Sequence, residues 1–149
     1  EDLSCKFSFL NQEKLRSAQL FEDVLPLLEK AHLGIWDSKF VISSSVPEHE
    51  LYDITNFHLT DRQKSVFFNI MGTREKFSKG LEHFDWVLQN LSCVREDIIF
   101  VGDDQNDIKL AQDYGVDCLR IIRESSVILG DKMIIPSLTE VEQYLIKKI

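Results

Sequence analysis

Residues 98–107 read Ile98-Ile99-Phe100-Val101-Gly102-Asp103-Asp104-Gln105-Asn106-Asp107. The four apolar residues at the start predict a strand that is buried on both faces of its sheet, as in parallel sheets covered by helices. The chain then enters a loop with three carboxylates in five positions. Crowded carboxylates repel one another unless a cation neutralises them, and ligands that are all oxygen suit Mg²⁺ better than zinc. The stretch therefore predicts a magnesium-binding loop after a buried strand.

Helix capping is the alternative interpretation of these acids. Asp103 or Asp104 could cap the helix that follows, because a helix N-terminus favours acidic side chains. For any two acids alone, capping is the better explanation. Three acids together with Gly102, directly after an apolar strand, favour the metal loop.

The rest of the chain alternates helical and short apolar runs, which predicts an α/β domain with a mainly parallel sheet. An apolar stripe from Leu20 to Leu28 predicts a helix that ends near Gly34, with Pro26 tolerated only in its first turn. A strand over 39–42 should end in a loop at Ser43-Ser44-Ser45. Pro47 should open a second helix, with Leu51, Ile54 and Phe57 on one face.

The second half of the chain continues the same alternation. We expect a strand over 66–71, and then a helix after Lys79-Gly80 that turns Leu81, Phe84, Val87, Leu88 and Leu91 inward. The helix after the acidic loop should end at Gly115, in the usual capping position. A strand over 116–122, a short extended piece over 132–135 and a closing helix over 138–146 complete the prediction.

Composition restricts the function classes. The net charge of -8 and the pI near 5.0 disfavour nucleic-acid binding, which depends on clustered Lys and Arg. No apolar run reaches the roughly 18 residues of a membrane-spanning helix, so we expect no membrane partner and a cytoplasmic location. The three cysteines are far apart and form no CxxC pair, which argues against a disulfide framework or a zinc site.

Two further loops should join the acidic loop, since ligands of open parallel sheets bind at the carboxyl ends of the strands. The hydroxyls and backbone N–H groups of Ser43, Ser44 and Ser45 could cradle a phosphate ahead of a helix. The ammonium of Lys79 could neutralise a phosphoryl group, with Lys76 as a rival. Each signal is weak by itself.

The order of these features resembles a known family. A strand ending in serine, a Lys-Gly before a helix, and then an apolar strand followed by Gly-Asp-Asp-x-Asn-Asp is similar to the second, third and fourth motifs of the haloacid dehalogenase-like superfamily. The resemblance covers residues 21–122. It implies a Rossmann-like three-layer sandwich with a mainly parallel sheet, in which 21–149 form the core domain and 1–20 are a remnant of the cap domain or a linker.

The resemblance also implies roles for individual residues. Ser43 and Ser44 would bind the phosphoryl oxygens, and Lys79 would stabilise both the nucleophile and the transferring group. Asp103 and Asp107 would hold Mg²⁺ directly or through water, which makes Lys79 and Asp103 the catalytic residues of this chain. The substrate implied is a small phosphorylated metabolite.

Two neighbours in the acidic loop complete the resemblance: Asp104 and Asn106 would support the metal-binding residues. The departure from the family is the first motif, Asp-x-Asp-x-Thr or Val, which occurs nowhere in the 149 residues. This motif would supply the aspartate nucleophile and the central strand of the sheet. The sheet is therefore expected to be incomplete at its first strand.

The missing nucleophile leaves two interpretations open. The chain begins with Glu1 and not with methionine, so we favour a truncated phosphohydrolase core that is inactive by itself. The missing N-terminal segment or a partner chain would then complete the sheet. The alternative is a catalytically dead relative that serves as an interaction or regulatory module. A receiver-like domain fits less well because its acidic pair should come early in the chain.

Overall fold

A computed structural model of the chain describes residues 17–123 and 134–147. The described residues form two compact units. The first consists of those within Glu1–Arg74 together with Lys147, and the second of those within Glu75–Ile146. The predicted cap remnant lies mostly outside the described residues, as do Lys132 and Met133 of the predicted extended piece.

Helices and two parallel strands make up the described part of the first unit. They are α1 (Val24–His32), β1 (Phe40–Pro47), α2 (Glu48–His58), the short α3 (Asp61–Lys64) and β2 (Phe67–Thr73). In the described part of the chain, β1 and β2 form a sheet of two strands.

The start of helix α1 is compatible with Pro26. Asp23 is the N-cap residue, which places Pro26 in the first turn, where its missing N–H has no helical partner to lose. Leu27 and Leu28 are buried, whereas Phe21 and Leu25 of the predicted apolar stripe are exposed. The helix position was thus predicted correctly, but only part of its apolar stripe lies in the core.

The predicted serine loop is wrong. Ser43, Ser44 and Ser45 belong to β1, which continues to Pro47. Ser43 pairs with Met71 and Pro47 with Thr73, so that four steps along β1 oppose two along β2 and the strand bulges between them. Serine favours turns through local hydrogen bonds, and one is made here by the Val46 N–H to Ser44 Oγ at 3.1 Å. Pairing with β2 nevertheless keeps the segment in the strand.

Helix α2 buries a face that differs from the predicted one. Leu51 and Thr55, one turn apart, are buried, and Leu59 follows after the helix ends. Phe57 is 62% exposed and lies edge-on against His58. Its predicted inward position is therefore wrong, since the buried side chains of α2 are Glu50, Leu51 and Thr55.

The second unit is a small three-layer arrangement. Its elements are α4 (Leu81–Asn90), β3 (Ile99–Gly102), α5 (Gln105–Tyr114), β4 (Asp117–Ile121) and β5 (Ile134–Ile135), with 3-10 turns at Arg95–Asp97 and Leu138–Tyr144. The strands are parallel in the order β3-β4-β5. The predicted closing helix is thus a 3-10 helix, and the predicted α5 ends at Gly115 as expected, with φ of 87°.

Both faces of this sheet are covered. One core layer consists of Phe84, Ala111, Tyr114, Val116 and Cys118, which belong to α4, α5 and the β4 side of the sheet. The other consists of Leu119, Ile135 and Val141. This layering confirms the predicted α/β sandwich with parallel strands.

Two predicted core residues of the second unit lie at the surface. Leu81 is 60% exposed in the first turn of α4, where His83 and Phe84 are buried instead. Ile99 is 37% exposed. The strand β3 is nevertheless covered on both faces, as predicted, because Phe100 packs against one core layer and Val101 against the other. In the described part of the chain, no helix has the length and apolarity needed to span a membrane.

Candidate active site

The acidic loop begins at the carboxyl end of β3, and its last member, Asp107, is buried. The Asp107 side chain is reached by Lys79, whose Nζ lies 2.5 Å from Asp107 Oδ1. Lys79 comes just before α4, and Asp107 lies in the first turn of α5, so the ion pair links the starts of two helices. Charge pairing of this kind makes burial of the Asp107 carboxylate tolerable.

Gly102 makes room for the Asp107 carboxylate. A Cβ atom on Gly102 would lie 2.3 Å from Asp107 Oδ2, which is far inside van der Waals contact. The glycine that ends the strand is therefore a steric requirement of this ion pair.

Asp104 has the capping role that the sequence left as an alternative. Its side chain accepts a hydrogen bond from the Asn106 N–H at 3.0 Å, and its own N–H donates to Asp107 Oδ2 at 3.3 Å. Together these contacts form a capping box at the start of α5. Asn106 supports the loop through its backbone, while its side chain is exposed.

Asp103 is exposed, and its side chain has no hydrogen-bond or ion-pair partner in the described part of the chain. No group of three or more His, Cys, Asp or Glu side chains placed to hold a metal ion occurs among residues 17–123 and 134–147. The fit to Mg²⁺ therefore rests on two carboxylates, Asp103 and Asp107. Two carboxylates do suit Mg²⁺, which usually keeps several water ligands.

The position of Lys79 separates it from its rival. Its side chain is mostly buried, and its Nζ lies 5.7 Å from the centre of the Phe100 ring. Lys76 is exposed and has a positive φ of 55°. The structure therefore joins Lys79, and not Lys76, to the acidic loop.

The structure places the predicted site residues in both units. Lys79 and the four predicted site residues of the acidic loop all belong to the second unit, whereas Ser43 and Ser44 lie on β1 in the first. The contacts above bring Lys79, Asp107 and Asp104 together. The phosphate-binding roles of the two serines remain a prediction.

Two residues of β4 were not predicted from the sequence as residues of the site. Burial raises the pKa of the Cys118 thiol, Asp107 raises it further, and Lys79 lowers it, so Cys118 lies within the field of the pair. Arg120 pairs with Gly102, so it lies near the carboxyl end of β4, next to the carboxyl end of β3. A charged residue inside an apolar strand was the signal that could have identified it.

Comparison with protein families identifies the chain. The model of the haloacid dehalogenase-like hydrolase family matches residues 3–121. The chain therefore belongs to this family, which confirms the resemblance read from the motifs. No curated protein sequence matches the chain.

Solved structures share the fold. A candidate phosphoglycolate phosphatase from Lactobacillus delbrueckii subsp. bulgaricus superposes with a TM-score of 0.69 at 14% identity, over 87% of this chain and 55% of that protein. A haloacid dehalogenase-like hydrolase from Streptococcus pneumoniae superposes with a TM-score of 0.67 at 20% identity, over 87% of this chain and 61% of that protein. The chain thus spans less than two thirds of either structure.

Proposed function

We propose that this chain supplies the lysine and the metal-binding loop of a Mg²⁺-dependent phosphate monoester hydrolase. The observation that carries the proposal is the ion pair of Lys79 with buried Asp107 at the carboxyl end of β3. Membership of the hydrolase family and the fold shared with a candidate phosphatase support it.

The charges of these residues suit phosphoryl transfer. Asp107 fixes the Lys79 ammonium at the sheet edge, where it can donate hydrogen bonds to phosphoryl oxygens as their negative charge changes in the reaction. Asp103 and Asp107 would hold Mg²⁺, and the ion, when bound, would neutralise part of the phosphate charge. Asp104 keeps the loop in place by capping α5.

A separate proposal concerns the two serines of β1. We assign Ser43 and Ser44 to the phosphoryl oxygens, on the basis of the family resemblance, and a small phosphorylated metabolite as the substrate. Both hydroxyls can donate one hydrogen bond to an anion.

The aspartate nucleophile must come from outside these 149 residues, since none of them forms the Asp-x-Asp-x-Thr or Val motif. Strand β3 offers a place for the strand that carries it. Among the described strands, β3 pairs only with β4, so its other edge can accept a parallel strand. The carboxyl end of such a strand would lie beside Gly102 and the Lys79–Asp107 pair. Either a longer form of this protein or a partner chain could provide it.

The first experiment reads the coding sequence around this chain and assays the protein that includes a first strand with the Asp-x-Asp motif. With p-nitrophenyl phosphate as substrate, we expect turnover that requires Mg²⁺ and is lost in Asp103→Asn. Asp117→Asn is the matched control, because Asp117 is an exposed acid at the opposite end of β4 and should leave turnover unchanged.

The results separate the two interpretations. Full activity of Asp103→Asn would remove the acidic loop from the mechanism. If no reading frame or partner supplies the nucleophile and no phosphate ester is hydrolysed, the chain is a catalytically dead interaction or regulatory module.

A further inference from the structure

Arg120 lies in β4 between Leu119 and Ile121, in an otherwise apolar run. Its Nε is buried and lacks a hydrogen-bond partner, and the part of the chain that the structure describes contains no partner for its guanidinium. Arginine stays charged at any physiological pH, and a buried polar group without an acceptor is costly. Arg120 as a whole is only partly exposed, so its guanidinium is suited to an anionic partner that approaches from solvent.

The register of the sheet indicates on which face the Arg120 side chain lies. Phe100 pairs with Cys118, and Gly102 pairs with Arg120. Residues paired in register point to the same face, and so do residues two apart on one strand. Since Phe100 and Cys118 both belong to the core layer below α4 and α5, Arg120 also projects on that side.

The Asp107 carboxylate occupies the same face. It fills the space that a side chain on Gly102 would take, one strand away from Arg120, and neighbouring strands lie about 4.8 Å apart. The electrostatic environment of Cys118 agrees with this placement. Both Asp107 and Lys79 affect the pKa of the thiol, which lies two residues before Arg120 on β4.

The ion pair leaves Arg120 without a direct charge partner among the described residues. Lys79 and Asp107 neutralise each other at 2.5 Å. Arg120 adds a positive charge at the same end and on the same face of the sheet. Its planar guanidinium favours two-pronged hydrogen bonding to a carboxylate or a phosphate.

We propose that Arg120 binds a second anionic group of the ligand, a carboxylate or a second phosphate, beside the phosphoryl group held by Lys79. This inference rests on the proposed function, because it assumes a phosphate at Lys79. It defines the substrate class as phosphate esters with a second anionic group, and it makes Arg120 a residue that determines specificity.

Three non-hydrolysable probes test the inference by calorimetric titration of the 149-residue chain. Methylphosphonate carries one anionic group, phosphonoacetate adds a carboxylate, and methylenediphosphonate adds a second phosphonate. We expect one of the two larger probes to bind roughly 10- to 100-fold more tightly than methylphosphonate, as for a hydrogen-bonded charge pair. The preferred probe then identifies the second group as a carboxylate or a phosphate.

Variants assign the preference to Arg120. In Arg120→Met the preference should disappear while methylphosphonate binds as before, and Arg120→Lys should retain part of the preference. Arg123→Met is the matched control, since Arg123 is exposed three positions further on, and it should keep the full preference. Thermal unfolding of each variant verifies that it is folded.

The outcomes distinguish this inference from the proposed function. Equal binding of all three probes by the unmodified chain, or an unchanged preference in Arg120→Met, would overturn the role of Arg120 and leave a phosphate site at Lys79. If none of the probes binds, the role of Arg120 fails, whereas the proposed function is decided by the phosphatase assay of the protein that includes the nucleophile strand.

Discussion

At the scale of single residues, the Lys79–Asp107 ion pair depends on Gly102, because a glycine has no side chain. Gly102 is the last residue of β3. The Asp107 carboxylate occupies the space that a Cβ atom on Gly102 would fill. Asp107 can therefore be buried against the backbone and still reach Lys79. A buried carboxylate without this partner would be strongly destabilising.

We predict that Gly102→Ala destabilises the protein by about 1–3 kcal/mol, because the added methyl group forces Asp107 out of its position. Urea denaturation of the chain measures the change. In the double variant Gly102→Ala with Asp107→Gly the methyl group has room, because the Asp107 Cβ, 2.7 Å from the position of the methyl group, is removed as well. The cost of Gly102→Ala measured in the Asp107→Gly background should therefore fall well below its cost in the native background. An equal cost in both backgrounds would contradict the steric explanation.

Arg120 is a second residue whose identity matters, because it is charged and lies between apolar residues. Its neighbours in β4 satisfy the apolar pattern of a covered strand, and the arginine does not. A residue that breaks a local rule in an otherwise consistent element is often a functional one. The specificity role proposed above follows from this exception together with its unpartnered Nε.

At the scale of the elements, α5 shows how one acidic loop can serve both the helix and the site. Asp104 and Asp107 form the capping box, and Asp107 also binds Lys79. Gly115 ends the helix in the left-handed conformation that an L side chain adopts only with strain. Both ends of the helix are thus defined by local hydrogen bonds.

We predict that Asp104→Ala lowers the free energy of unfolding by about 1 kcal/mol, the usual cost of removing an N-cap. Asp104→Asn keeps the accepting oxygen, so it should be close to neutral. Thermal or urea unfolding of the two variants provides the comparison. A loss in Asp104→Asn as large as that in Asp104→Ala would show that the charge of Asp104, and not its cap, is what matters.

At the scale of the whole molecule, the described strands form two separate sheets. The first unit contains β1 and β2, and the second contains β3, β4 and β5. Backbone groups along an unpaired strand edge need partners from water or from another strand. An added strand on β3 would satisfy them and bring the nucleophile to the ion pair.

Hydrogen exchange tests this addition. In the 149-residue chain, we expect rapid exchange of those β3 amides that point away from β4, because no strand among residues 17–123 and 134–147 pairs with them. In the protein or complex that contains the nucleophile strand, the same amides should be protected at least tenfold, since ladder hydrogen bonds close them. The β4 amides bonded to β3 serve as internal controls. Unchanged exchange along β3 would place the added strand elsewhere.

The sequence by itself determined the order of the elements, the magnesium-loop candidate and the family. These features depend on local rules: the apolar run before Gly102, the acids after it, and the capping position of Gly115 are adjacent in the chain. Pro26 was likewise assigned to a first turn because the constraint on it acts within its own residue.

Only the tertiary structure decided which faces are buried and which groups meet. Phe57 and Leu81 fit the helical period, but the sheet that each helix covers lies against other residues. Ser43–Ser45 prefer turns, yet strand pairing overrides that preference. Lys79 and Asp107, 28 positions apart in the sequence, become partners through two helix starts at one sheet edge. Burial and charge pairing between distant residues depend on packing, which no local pattern encodes.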